Sequence, residues 1–278
     1  MFKGRRLLIA TKHGKEQVLA PLLEEALGVT CFTHGGFDTD TLGTFSGEVA
    51  RTLDPVSAAR EKCLRAAKAA GCDLVVGSEG SFGPHPLMPF VACDEEILLF
   101  LDLRHPLEIM ARELSTTTNF AAAELEDEQE LERFAREAGF PEHALILRKS
   151  PLEIADMRKG IREVEELRQH FRFLKANHGK AYVETDMRAQ CNPSRMAVIR
   201  QAGVQLIRKI QSCCPACAYP GFDVVEVRRG LECSLCGEPT RSALCHVYRC
   251  LNCGLIREEM YPNGKMQEDP MYCDACNP

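Results

Sequence analysis

Four Cys-x-x-Cys pairs crowd the C-terminal stretch 213–278: Cys214/Cys217, Cys233/Cys236, Cys250/Cys253 and Cys273/Cys276. Two residues between cysteines let a tight turn present both sulfurs to one ion. Two such knuckles complete a tetrahedral S4 site with no open position, which is structural rather than catalytic metal chemistry. Eight ligands make two sites, so two structural Zn2+ ions are the expected cofactors. The spacers are 15 residues between the first two pairs and 19 between the last two, and glycine follows Cys236 and Cys253. With strand-like runs at 224–227 and 246–248, this pattern fits two successive zinc ribbons, and pairing of the first knuckle with the third is the other arrangement open to it. A segment so poor in apolar residues draws its folding free energy from metal, on the order of 10 kcal/mol per structural zinc. A thioredoxin-like redox role fits badly, because that motif opens a helix after a strand and does not come four times. Cys213 and Cys245 are spare thiols, read as buried or tolerated cysteines.

A chain of 278 residues has room for one substantial core besides this module. No apolar run approaches the roughly 18 residues that span a bilayer, which excludes a membrane-spanning role. The run Leu7 to Ala10 is too short for a signal-peptide core. It reads as a first strand, and the expected location is cytoplasmic. The net charge of -6 is evenly spread, with six Lys/Arg against nine Asp/Glu in 213–278 and 28 against 31 in 1–212. Neither part is basic, so any surface for nucleic acid has to be local.

Before the cysteines, elements alternate. Residues 6–11 form an apolar strand that ends at Lys12-His13-Gly14, and Val18, Leu19, Leu22, Leu23, Ala26 and Leu27 then recur at helical spacing up to Gly28. Strands are expected at 29–33 and 44–51, with a Gly/Asp/Thr-rich loop between them. Asp54-Pro55 reads as the cap and first turn of a helix that closes at Gly71 before the strand 73–77. A buried strand at 96–103, a charged helix at 124–138, a strand at 144–147 and helices at 161–176 and 194–210 follow. The expected fold class is α/β, a mixed sheet with flanking helices in a domain of residues 1–212, followed by a small double zinc-ribbon module at 213–278.

Candidate site residues cluster at element junctions. Thr11, Lys12 and Lys15 lie where the first strand hands over to a helix, whose free amides favour anions. Glu79, among glycines at the carboxyl end of the 73–77 strand, is placed to meet a ligand; the alternative is a turn in which it caps backbone amides. Arg188 and Arg195 flank Asn192-Pro193-Ser194 at a helix start and can complete an anion pocket; otherwise Asn192 or Ser194 caps the helix and the arginines form surface ion pairs. His85, between two prolines, is a possible base or a rigid loop residue without chemistry.

Together these pieces resemble the fold family of house-cleaning nucleoside triphosphate pyrophosphatases, especially its inosine/xanthosine triphosphatase branch. That family opens with an Ala-Thr-x-Asn-x-x-Lys loop, matched here by Ala10 to Lys15, with His13 at the asparagine position and Glu16 at the lysine position. Ala59-Arg60-Glu61-Lys62 and Asp73 to Gly80 correspond to its later helix and its Ile-Glu-x-Gly strand end. The resemblance spans residues 6–100. It implies a Mg2+-dependent hydrolase acting on a nucleotide, with Glu79 as first metal ligand, Glu48 and Glu61 as second ligands or water-positioning groups, and Thr11, Lys12 and Lys15 on phosphates. The whole chain, through its 43–48 and 80–86 segments and cysteine tail, also resembles an uncharacterised bacterial family bearing a domain of unknown function. The leading expectation is therefore a phosphoanhydride hydrolase whose partner is a nucleotide or phosphorylated small molecule. The alternative is a non-enzymatic adaptor whose ribbons bind protein or nucleic acid.

Overall fold

The computed structural model describes residues 1–11, 13–35 and 54–278, and these divide into two compact units, Met1–Ile207 and Arg208–Pro278. The strand expected at 44–51, nearly all of the loop before it, Lys12 and Glu48 lie outside the described residues.

The first unit begins with β1 (Arg6–Ala10), then α1 (Glu16–Leu27), β2 (Thr30–Phe32), α2 (Pro55–Ala70), β3 (Leu74–His85), β4 (Met88–Asp102) and β5 (Leu107–Ser115). These strands form a mixed sheet in the order β2-β1-β3-β4-β5. β1 runs parallel to β2 and β3, while β3, β4 and β5 pair antiparallel. The signals that end the helices act as read: Asp54 caps α2 by accepting from the amides of Val56 and Ser57, Pro55 opens its first turn, and Gly71 closes it in the left-handed conformation. α2 buries Ala59, Cys63, Ala66 and Ala67 against Leu8, Val75, Leu99 and Leu101 on one sheet face. Alternation along the strands sends Ser78, Gly80, Glu96 and Leu98 to the opposite face.

One expectation fails here. Residues 78–83 do not form a loop at a strand end: β3 continues through them and pairs with β4 in one long hairpin. Gly77 and Gly80 mark close approach rather than turning. A Cβ on Gly77 would lie 2.4 Å from Cys63 Sγ of α2, and one on Gly80 would lie 2.5 Å from Glu96 Oε1. The real turn is at the hairpin tip, where His85 Nδ1 accepts from the amides of Leu87 and Met88.

The rest of this unit is a four-stranded antiparallel sheet with two helices. Its elements are β6 (Ala122–Leu125), α3 (Glu128–Ala138), β7 (Leu145–Arg148), β8 (Arg158–Ile161), α4 (Val164–His178) and β9 (Ala181–Thr185), with strand order β6-β9-β7-β8. The helix expected at 124–138 is thus a short strand followed by a helix capped by Asp127. Leu131, Leu167, Phe171 and Leu174 of the two helices pack on Leu145, Leu147 and Val183. α5 (Pro193–Gln211) follows. No described helix is long and apolar enough to cross a membrane.

The second unit is an antiparallel meander of β10 (Asp223–Arg229), β11 (Ala243–Arg249) and β12 (Ile256–Met260).

Candidate functional site

The meander decides how the cysteines combine. The first knuckle precedes β10 and the third joins β11 to β12, so both lie at one end of the sheet. The second joins β10 to β11 and the fourth follows β12, at the other end. Accordingly Cys214, Cys217, Cys250 and Cys253 form one tetrad, and Cys233, Cys236, Cys273 and Cys276 the other. The favoured expectation of two successive ribbons is corrected: the pairing is interleaved, because each strand reverses the chain and alternate connections share an end. Cross-knuckle sulfurs are 3.7 Å (Cys214–Cys253) and 3.6 Å (Cys217–Cys250) apart in the first tetrad. In the second they are 3.9 Å (Cys233–Cys276) and 3.6 Å (Cys236–Cys273) apart. A tetrahedron with Zn–S bonds near 2.3 Å has edges of about 3.8 Å, so each tetrad can hold a zinc ion.

Local backbone builds each knuckle. Cys214, Cys233 and Cys250 donate their amides to Tyr219, Glu238 and Leu255, and accept from Ala218, Gly237 and Gly254. Those last three residues have φ of 57°, 74° and 73°, which explains the glycine after Cys236 and Cys253 and leaves Ala218 in an unfavoured conformation. Donors aimed at sulfur favour the thiolate: the Cys217 thiol, approached by Asn252 Nδ2 at 3.6 Å, is pulled down to about 6, and backbone amides pull Cys233 to about 7. Phe222 stacks on Tyr248 at 5.6 Å beside Cys214 and Cys250, a core small enough to depend on metal. Glu268 ties the ends of the second tetrad together. Its carbonyl accepts from Ser234, its amide donates to Glu232, and its carboxyl is drawn to about 2 by hydrogen bonds from Ser242 and the Asp269 amide.

Interleaving makes a prediction that successive ribbons reverse. The Cys214→Ser/Cys250→Ser double variant damages one tetrad and should retain one zinc per chain. Cys214→Ser/Cys233→Ser damages both and should retain none, as metal analysis or native mass spectrometry of the purified protein will show.

The first unit holds a buried ionic cluster on the sheet face opposite α2. Lys15, the residue that opens α1, is 6% exposed, and Glu96 and Arg195 are 0% and 1% exposed. Arg195 Nε donates to Glu96 Oε1 at 2.6 Å, while Lys15 Nζ donates to Ser78 Oγ at 2.6 Å and reaches Glu96 Oε2 at 3.4 Å. Arg195 also donates to the Met187 carbonyl and lies over the Phe82 ring, 5.1 Å from its centroid. α5 is capped as its sequence suggests: Asn192 Oδ1 accepts from the Arg195 amide, and Pro193 fills the first turn. Burial lowers the Lys15 ammonium to about 8 despite Glu96. Asp94, two residues before Glu96 and on the same face, is 1% exposed, and neither oxygen has a hydrogen-bond partner among the described residues. Burial, then the neighbouring Glu96, pushes its carboxyl up to about 7.

Among the residues expected at a site, Lys15 and Arg195 are brought together. Thr11 is half-buried just after β1. Glu79 points to the other face, where it pairs with Lys62 of α2, whose Nζ also donates to the Ser78 carbonyl at 3.1 Å. Glu61 is paired along α2 with Arg65, and Arg188 is held by the buried Asp186, with Nη2 2.5 Å from Oδ2. Glu96 and Asp94, which assemble the cluster, are the residues sequence reasoning missed. Their signal was present: in Asp94-Glu95-Glu96, alternation at the mouth of a buried strand turns two carboxylates inward.

The Asp94 shift fixes a pH dependence for protein carrying no divalent cation beyond its zinc. An acid whose folded pKa is raised binds its proton more tightly when folded, so its contribution is full below pH 4 and is lost as pH rises to about 7. Stability should fall by up to about 1.4 kcal/mol per pH unit across that window. In Asp94→Asn the slope should flatten, as denaturant titrations at several pH values will register.

An α/β unit with a buried Lys–Glu–Arg cluster, together with a meander carrying two cysteine tetrads that can bind zinc, defines the class of protein. The chain belongs to the family described as domain of unknown function DUF6671, whose profile matches residues 62–278. Among solved structures, it is similar to that titled crystal structure of protein VC0702 from Vibrio cholerae. The identity is 11% and the TM-score 0.32, covering 75% of this chain and 96% of that one. No curated protein matches.

Proposed function

We propose that this protein is a Mg2+-dependent hydrolase of a phosphoanhydride bond in a nucleoside triphosphate, with a site in the α/β part, residues 1–212, and two structural zincs in an accessory module, residues 213–278. The observation that carries this reading is the meeting of Lys15 and Arg195 over Glu96. Two cations from different elements are desolvated beside the start of α1, where no side chain among the described residues caps the helix amides. A phosphate group is the natural partner for a buried lysine held below its usual pKa and a guanidinium locked in place. Lys15 would hold phosphate oxygens as an ammonium, Arg195 would fix Glu96, and Ser78 would orient Lys15. The inward carboxylates of β4 are the oxygen donors that Mg2+ takes, and the bound ion would neutralise phosphate charge during hydrolysis. A reducing, cytoplasmic compartment suits eight thiolate ligands.

A second reading, an adaptor that docks a protein through the zinc module, is favoured by the bare knuckle tips Leu235 and Leu251, 73% and 63% exposed. Nucleic acid fits that module less well, since residues 213–278 carry six Lys/Arg against nine Asp/Glu, and Arg228, Arg241 and Lys265 are each paired with a carboxylate. Release of phosphate or pyrophosphate from a nucleotide panel that includes inosine and xanthosine triphosphates separates the readings. Metal-dependent turnover that is lost in Lys15→Met supports the hydrolase; no turnover with any nucleotide overturns it and leaves the adaptor.

A further inference from the structure

We infer that Asp94, with Glu96 beside it, is the hard-cation site of the first unit, and that Glu79 is not. Asp94 and Glu96 stand two residues apart on β4, their Cα atoms about 6.8 Å apart at strand rise, and both side chains turn to the face where α1 and α5 begin. Their surroundings differ in one respect. Glu96 is held through Oε1 by Arg195 and through Oε2 by a long contact to Lys15. Asp94 is 1% exposed, and among the described residues nothing hydrogen-bonds to either of its oxygens.

A buried carboxyl keeps its place in a fold by taking a proton, a paired cation or a metal ion. No described cation is paired with Asp94 through hydrogen bonds, which leaves the proton or the metal. The geometry points to the metal. Glu96 Oε2 is only loosely engaged, so on one strand face one oxygen of Glu96 and, among the described residues, both of Asp94 lack a close hydrogen-bond partner. Gly80, directly across from Glu96, makes room for the Glu96–Arg195 pair, since a Cβ there would lie 2.5 Å from both Glu96 Oε1 and Arg195 Nη2. Carboxylate oxygens select Mg2+, Mn2+ or Ca2+, whereas the thiolate tetrads select zinc, so the two kinds of site sort their metals by ligand hardness. Glu79 offers no such opening, because Lys62 holds its carboxylate on the opposite face.

The site is a binding claim and does not rest on turnover. The test uses the full-length, zinc-loaded protein titrated with Mn2+, with free ion followed by electron paramagnetic resonance and Mg2+ added as competitor. The expected result is one Mn2+ per chain, displaced by Mg2+. In Asp94→Asn affinity should fall at least as much as on loss of an outer-shell partner, roughly 10- to 100-fold, and in Glu79→Gln it should not change. Retained zinc content and an unchanged circular dichroism spectrum identify variants that still fold. Asp94→Glu, which keeps the carboxylate, should bind more tightly than Asp94→Asn. No Mn2+ binding by the wild type, equal binding by Asp94→Asn, or loss in Glu79→Gln overturns the assignment. Mn2+ binding without nucleotide turnover would leave the cation site standing and remove only the hydrolase reading.

Discussion

Stripping zinc with a strong chelator should unfold residues 208–278 while the sheets of the first unit persist. The module has almost nothing else to hold it. Its buried side chains are few, chiefly Phe222, Leu231, Val247 and the first cysteine of each knuckle, and Val225 and Val227 of β10 are about half exposed. Structural zinc contributes on the order of 10 kcal/mol per site, far more than so small a core supplies. Interleaving sharpens the expectation. Each tetrad joins segments from both halves of the module, so losing one ion releases an end of all three strands and not a separate half. Hydrogen exchange should therefore show protection lost throughout β10, β11 and β12 together, with β3, β4 and β9 unchanged. Retention of protection in either half would mean that the halves fold independently.

The second large effect is expected at Arg195. It is the largest fully buried side chain among the described residues, and its partner Glu96 is inaccessible. Replacing Arg195 with Met leaves the carboxylate buried with only the 3.4 Å contact from Lys15. Breaking a buried pair from one side costs roughly 3–5 kcal/mol, because the stranded charge keeps its desolvation penalty. Removing both charges, as in Arg195→Met/Glu96→Gln, should restore a good part of that loss. Urea denaturation of the two single variants and the double variant measures the coupling. Additive losses would show that the pair is not the unit of stability described here.

Much of the architecture could be read in the sequence wherever local chemistry controlled it. Asp54-Pro55, Gly28 and Gly71 bound their helices because a cap or a left-handed residue is a local requirement. The cysteine knuckles were legible for the same reason. Their partnership was not, since it is set by strand reversal, and the spacers are compatible with either pairing. β5 went unread although Leu107, Ile109 and Ala111 alternate inward. Its Met-Ala-Arg-Glu-Leu composition is that of a helix, and pairing with β4 overrides that preference. Glycines misled in the same way: Gly77 to Gly83 read as a turn, while in the fold Gly77 lets α2 and Gly80 lets Glu96 approach β3. Glu79 was placed at a strand end that does not exist there, and Asp94 and Glu96 were passed over as the opening of a buried strand.

The central claim, that Lys15 binds phosphate beside the Glu96–Arg195 pair, is tested most directly by calorimetric titration of the zinc-loaded protein with inosine triphosphate and Mg2+. The wild type should bind, and Lys15→Met should lose about 1.5–3 kcal/mol of affinity, the worth of a charged hydrogen bond, which is roughly 10- to 150-fold. Equal affinity in the two proteins would contradict the claim and place any nucleotide elsewhere on the chain.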